Sequence, residues 1–426
     1  MKKYILVVVS FLLCLSFLAC DTHPMPPETS GIGETTWTNE PNIETKPNAP
    51  AELDKMDWVW ASNENGAFSD VGYYYLTSEG FLYFLDTENG LSVCLCGKVG
   101  CLHDKEEDPF KREECEGKLS GAGSITPVFY WDGGLFYVEA DAYGTHLYRR
   151  NADGSGMTKV STLGSQYTKE QKSVELFSFA IADGCLYYDA EVDSVVQDET
   201  GAGVVQRELC YIGRVNLQTG KDETLFSDAN NYLMLCAAAS DAALILSKGQ
   251  PDLPVDDPGY AEALLNESAE LLFWNGTVGE PVEVFQKTIR QCANITLVAD
   301  DYVFYKSSAK ESIATYRYDL RTGAEEKISD SAIKHINGKY ALRMDNAGIW
   351  KVYDLQENAF LPNDFSKDSL SIGSVSEDGF ILLRGIREGN SIKERIYCYV
   401  TFIAMEDGLQ ESDIMPFYTR QNTVLG

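Results

Sequence analysis

From Asp57 onward, short apolar runs dense in aromatic residues alternate with polar turns, and the alternation keeps returning. Val71-Gly72-Tyr73-Tyr74-Tyr75, Asp132-Gly133-Gly134-Leu135-Phe136-Tyr137 and Asp183-Gly184-Cys185-Leu186-Tyr187-Tyr188 each start at a Gly or Asp turn. Weaker copies start at Asp241, Asp301, Asn337 and Asp378. The interval is about 40 to 60 residues, the range of a four-stranded propeller blade. A second signal follows most of these anchors. Asp86 to Gly90, Asn216 to Gly220, Asp319 to Gly323 and Asp354 to Asn358 share one layout. An Asx side chain opens the turn, and a Gly or Asn four positions on accepts positive φ. Asn151-Ala152-Asp153-Gly154-Ser155-Gly156 is a looser version.

The pattern predicts an all-β fold, a β-propeller of about seven four-stranded blades, with six or eight as the neighbouring counts. A β-sandwich would not repeat at this interval, and a solenoid would repeat faster. Trp58-Val59-Trp60 is expected to supply a strand that helps close the ring. Gly259 to Phe273, just after Pro258, is the one stretch whose pattern suits a few helical turns, as an insertion in the fourth repeat.

The first residues are of another kind. Lys2 and Lys3 precede an apolar run from Ile5 to Leu18, short for a membrane-spanning helix, and small Ala19 is followed by Cys20. Phe17-Leu18-Ala19-Cys20 resembles the lipobox of bacterial lipoproteins. That resemblance implies removal of residues 1–19 and lipidation of Cys20, with enough acyl chains for a stable anchor on the outer side of a membrane. Residues 20–56 are rich in Pro and Thr and poor in aliphatic side chains, the composition of a tether with a reach of about 30 Å. Residues 57–426 form the propeller domain. The formal charge is −30, and loss of Lys2 and Lys3 takes it to −32. Such a surface repels nucleic acid and anionic headgroups.

The interval between the first two anchors is stretched by a cysteine-rich insertion near 93–117. Cys96, Cys101, His103 and Cys115 have donor types that suit a tetrahedral ion, and a structural zinc is the metal they would hold. Gly97 and Gly100 would let the loop turn between the first two ligands. The spacing leaves two other chemistries open: a disulfide from Cys96 to Cys101 or Cys115, as expected outside the cell, or reduced thiols that are merely buried. Leu95-Cys96, Cys101-x-His103 and the trailing Cys115, placed after a strand pair, resemble a group of propeller lipoproteins of Gram-positive anaerobes. That group carries a domain of unknown function and is similar to TolB-type propellers. The resemblance implies fold and location but no activity. Cys94 is an extra thiol, and the pattern does not say whether it or Cys96 faces the loop.

Other candidates read as structural. Cys185, Cys210, Cys236, Cys292 and Cys398 lie mostly in apolar strand-like runs, where buried cysteine acts as a small hydrophobe; a bridge from Cys185 to Cys210 is the alternative. His146 and His335 lack a neighbouring nucleophile, and His23 lies in the tether. The acidic run from Asp104 to Glu116 reads as solvated surface. No phosphate loop, dinucleotide fingerprint or basic stripe is present, and no catalytic residue is assigned. Two functions remain. The first is a binding module, expected to be a monomer, whose partner is an extracellular glycan, a peptide or an envelope protein. The second is a propeller lyase or hydrolase with carboxylates or a metal at the channel mouth.

Overall fold

Tight turns set the strand order. Asp132 and Gly133 take φ of 45° and 68°, and Asp183 and Gly184 take 46° and 71°. Positive φ at both central residues is the type I′ hairpin turn, whose twist matches that of the strands it joins. In a computed structural model of the chain, each such turn joins the innermost strand of a sheet to the second strand. The structure describes Leu53 and, apart from internal gaps of at most eight residues, 56–421. Cys20, residues 1–19, the tether up to residue 52 and Asn358 lie outside the described residues.

Seven sheets follow one another along the chain in a propeller, within the expected range. Blade 1 spans 66–94, blade 2 128–163, blade 3 173–228, blade 4 232–288, blade 5 294–329, blade 6 333–360 and blade 7 369–421. Six have four antiparallel strands and blade 4 has five. The inner strand of blade 1 (Gly66–Ser69) meets that of blade 7 (Ser369–Val375), so the ring closes on itself.

The apolar core is divided among the interfaces. Seven clusters of buried residues occur among the described residues, one between each pair of adjacent blades. Tyr187 and Ile245 sit between blades 3 and 4, Phe136 and Tyr188 between 2 and 3, and Phe380 and Tyr340 between 6 and 7. Burying one such side chain contributes about 1.5–3 kcal/mol, so each sheet depends on both neighbours.

The fifth strand of blade 4 is Val59–Trp60. It does not close the ring, as the sequence suggested. It pairs with the axial edge of the inner strand Tyr232–Ala239, placing Val59 opposite Ala238 and Trp60 opposite Ala237. The segment then climbs the axis and meets the other blades in turn. Ala61 N donates to Cys236 O at 3.0 Å, and Ser62 and Phe179 exchange bonds of 2.8 and 2.9 Å. Val128 N donates to Glu64 O at 3.0 Å, and Leu76 N to Asn65 O at 2.8 Å. Inner strands have free axial edges, and this segment satisfies several of them.

An antiparallel meander puts the turns between strands 1–2 and 3–4 at one end of every blade. The turns between strands 2–3 and the blade-to-blade connections lie at the other end. The first end carries mostly short turns, the connection 402–414 of blade 7 being the long exception. The second carries the Cys/His insertion, the helix Ser165–Thr168, the helix Tyr260–Asn266 and two long hairpins, Cys185–Gln197 with Gly203–Asn216 and Gly379–Glu388 with Ser391–Thr401. The helical stretch expected over 259–273 is cut short: Ser268–Trp274 is a strand, because Leu271 and Phe273 are needed in the core between blades 4 and 5.

One buried carboxylate joins blade 3 to blade 4. Asp189, 1% exposed, accepts from Ser178 N at 2.6 Å and from Leu235 N at 2.9 Å. Both donors lie at slips in strand pairing, between Leu176 and Phe179 and between Leu235 and Ala237. Burial raises the Asp189 pKa to about 7, against the pull of these backbone donors. The folded value therefore lies above the unfolded one. The stabilising effect of the bound proton is complete below about pH 4 and is lost as pH rises through about 7, a change of roughly 2–4 kcal/mol. Unfolding free energies of wild type and Asp189→Asn from pH 4 to 8 should show the wild type losing stability more steeply; parallel curves would contradict this assignment.

Candidate functional site

The Cys/His loop leaves blade 1 at the end of its outer strand, Ser92–Cys94. Leu95 N donates to Leu82 O and Cys96 N to Cys94 O, each at 2.9 Å, turning the chain outward. A 3-10 turn covers His103–Lys105, and the short helix Pro109–Glu113 is capped by Asp108 Oδ1, which accepts from Phe110 N at 3.0 Å. Pro109 at the first helical position loses no hydrogen bond there. The loop then returns to its own blade: Leu82 N donates to Gly117 O and Leu119 N to Gly80 O, both at 2.8 Å. Leu95 and Leu119 are buried between blades 1 and 2, and the Arg150 guanidinium of blade 2 donates to the Glu116 carbonyl.

These anchors gather Cys96, Cys101, His103 and Cys115, whose ligand atoms all lie within 4.8 Å of one another. Cys115 Sγ is 3.5 Å from His103 Nδ1. Cys115 is 3% exposed and the other three are half-buried. His103 has a φ of 56°, a left-handed conformation that costs a non-glycine residue about 1–2 kcal/mol and that the loop contacts must hold in place. Donors around a zinc ion lie about 3.5–3.8 Å apart, so the group needs to contract by only about 1 Å to hold one. The chemistry of three thiols and one imidazole fits that ion, and the structure has all four cysteines of the loop as free thiols.

Cys94 stands outside this group. Its thiol is held by Cys115, and burial, then the neighbouring Cys115 sulfur, push its pKa up. Gly117 packs on it so closely that a Cβ there would lie 2.6 Å from Cys94 Sγ. Cys96 is thus the thiol of the pair that faces the cluster. Burial acts to raise Cys96, but hydrogen bonds from the backbone of Lys98 and Glu116 and from the Cys115 and Cys101 thiols outweigh it and lower its pKa. Burial pushes the Cys115 thiol up to about 12. The cluster therefore has one thiol whose pKa is drawn down beside one whose pKa is pushed up.

The acidic run around this loop is not merely solvated. Asp104 Oδ1 accepts from Tyr83 OH at 2.8 Å, Glu116 Oε2 accepts from Gly97 N at 3.0 Å, and Glu114 pairs with Lys98 at 3.0 Å. Arg112 bonds Glu79 and lies over the Phe81 ring. Sequence reasoning missed Tyr83, Glu79 and Arg150 as braces, because they come from blade strands and from a loop with no local pattern.

The predicted turn residues sit where strands 3 and 4 join. Asp86 Oδ1 accepts from Glu88 N and Asn89 N, Asn216 Oδ1 from Gln218 N and Thr219 N, and Asp319 Oδ1 from Arg321 N and Thr322 N. Gly90, Gly220 and Gly323 take φ of 72°, 69° and 69°. Asp354 is buried at the end of Trp350–Asp354. Asp153 Oδ1 accepts from Ser155 N at 2.9 Å within a turn. His146 is buried and held by Thr162 Oγ1 at 3.0 Å and Asp141 Oδ1 at 3.1 Å. The alternative bridge from Cys185 to Cys210 is ruled out by register: Cys185 faces Asn216 and Cys210 faces Glu191, and both thiols are free.

No protein-family model matches the chain, and no curated protein matches it either. Solved structures do share its fold. A puromycin-hydrolyzing peptidase of Mycobacterium tuberculosis matches with a TM-score of 0.52 at 9% identity, over 88% of this chain and 55% of its own. The acylaminoacyl peptidase of Pyrococcus horikoshii gives 0.50 at 9%, over 87% and 54%. TolB from Acinetobacter baumannii gives 0.35 at 14%, over 78% and 76%. The chain spans about half the length of the two peptidases. At these identities the likeness to the peptidases is one of fold alone.

The thiol state is directly measurable. A secreted form lacking residues 1–20 contains nine cysteines, all free in the structure. Denatured without reductant in the presence of a chelator, it should react with nine equivalents of a thiol reagent. A count of seven would mean that one pair is oxidised.

Proposed function

We propose that this chain is a cell-envelope binding module, held to the outside of a membrane by lipid on Cys20, whose insertion-bearing end receives a protein or peptide partner. The observation that carries this reading is where the exposed apolar side chains fall. Phe110, Tyr143, Val195, Leu253, Val255 and Ile386 are solvent-exposed on loops or hairpins of the insertion-bearing end, against Val71, Leu91, Met157 and Val282 at the other end. Scattered exposed apolar residues are ordinary, but the larger share here, with the aromatic Phe110 and Tyr143, lies at the insertion-bearing end, as an interaction surface would. Apolar groups of this size favour a protein or peptide over a glycan. The ring axis supports the same reading, because the chain's own segment from Val59 to Asn65 fills space that an open catalytic mouth would need.

The Cys/His cluster serves this surface as a structural zinc site in our reading. Four protein ligands leave no coordination position for a substrate, and the loop they would pin carries Phe110 outward. Asp104, Glu114 and Glu116 of the loop are each bonded, and Arg112 pairs with Glu79 beside it, so its fold depends on these pairs rather than on a large core. The lipid anchor is supported by the resemblance of Phe17 to Cys20 to a lipobox. Among the described residues no helix is long and apolar enough to cross a membrane.

Full-length protein should contain one zinc per chain by elemental analysis. Cys115→Ser should lose that zinc and lower Tm by roughly 2–4 °C for each kcal/mol of binding lost. Metal-free protein of unchanged Tm would remove the zinc assignment. Cys20→Ser should move the protein from the membrane fraction to the medium; retention in the membrane would contradict the anchor.

A further inference from the structure

The seam between blades 7 and 1 holds a cavity of about 50 Å³. Its floor is Glu64, carried there by the axial segment. Ser374 Oγ of blade 7 donates to the Glu64 carboxylate and shares a 3.1 Å hydrogen bond with Tyr73 OH of blade 1. Among the described residues that hydroxyl is the one side-chain partner of the carboxylate. No Lys, Arg or His lines the space. Burial consequently raises the Glu64 pKa, opposed only by the bond from Ser374. A half-buried carboxylate with a single side-chain donor lacks most of the partners it can accept.

The walls are aromatic. Tyr75 meets Phe417 edge-on at 5.0 Å and Tyr418 at 5.8 Å, Tyr397 meets Tyr418 at 5.4 Å, and Tyr73 stacks on Tyr75 at 6.0 Å. The hydroxyls of Tyr75 and Tyr418 are turned to Ser92 and Ser78. The cavity therefore offers ring surfaces and one carboxylate rather than a shell of oxygens. A hard metal ion needs about six oxygen ligands and would not find them here. An ammonium group needs few acceptors and is attracted by ring faces.

We propose that this cavity binds a protonated primary amine, with Glu64 as its counter-ion, Ser374 and Tyr73 as hydrogen-bond partners and the surrounding rings as a cage. A cavity of about 50 Å³ suits a small head group such as an ammonium with its first methylenes. Leu76 and Ser78 line its side nearest the turn between strands 2 and 3 of blade 1, at the insertion-bearing end. A lysine side chain of a docked peptide and a free polyamine share this chemistry, and the net charge of −30 draws either toward the protein. The inference deepens the binding reading and rests on it, because it gives that end of the propeller a ligand class.

The test is titration of full-length protein in detergent micelles with n-propylammonium, followed by NMR or calorimetry, with n-propanol and potassium at matched ionic strength as controls. A lysine-containing peptide and spermidine then separate the two sources. Saturable n-propylammonium binding is expected, with n-propanol and potassium at least tenfold weaker. Glu64→Gln should weaken amine binding roughly tenfold and Phe417→Leu about threefold. Equal binding of n-propanol or potassium, or an unchanged affinity in Glu64→Gln, would overturn the proposal. Should Glu64→Gln fail to fold, the wild-type comparison and Phe417→Leu decide the matter alone. If no amine binds while amine-free peptides do, the amine site falls and the binding module stands.

Discussion

Each sheet of this protein has two apolar faces and no means of burying either one by itself. The seven interface clusters are the response: Tyr187 and Ile245 cover one another across blades 3 and 4 as Phe136 and Tyr188 do across blades 2 and 3. A ring is the arrangement in which every such face finds a partner. It leaves the inner strands with free edges along the axis. The segment from Val59 to Asn65 meets that second demand by bonding to inner strands of several blades. Ring and axial segment are therefore one solution to one problem, the satisfaction of sheet faces and sheet edges together.

The longest additions to the fold sit on what the ring leaves over. Most turns at the end away from the Cys/His insertion are fixed by hairpin geometry, since Asp and Gly there have little freedom to be anything else. The opposite end has no such restriction, and the chain lengthens there into the Cys/His loop, two helices and two projecting hairpins. The Cys/His loop shows how little core such an addition has: among its described residues the buried side chains are Leu95, Cys115 and Leu119. Its shape is held by backbone pairing to Gly80 and Leu82, by Arg150 from the next blade and by acidic side chains that bond locally. A tetrahedral ion would add to a framework that already brings its ligands to one place.

The axial segment also creates the chemistry of the seam between blades 7 and 1. Without Glu64 that seam would be another aromatic interface. With it, a carboxylate is brought among tyrosine rings and held by one serine hydroxyl. The same residues that finish the ring therefore place a carboxyl group with one side-chain partner in the seam.

Turns and repeats were legible in the sequence because their causes are local. An Asp-Gly pair carries its own φ preferences, and an Asx side chain bonds to backbone only two or three residues away, as Asp86, Asn216 and Asp319 do. The ligand types and spacing of Cys96, Cys101, His103 and Cys115 were readable for the same reason. Distant contacts were not. That Cys96 rather than Cys94 faces the cluster depends on Gly117 packing against Cys94, and that Trp60 lies at the axis depends on a free edge in blade 4. Asp189 looks in sequence like any strand carboxylate, yet its partners come from slips in two different inner strands. The chain alone determined what each segment prefers to be; only the closed ring decided which segments meet, because burial and edge pairing are properties of neighbours brought together from far along the sequence.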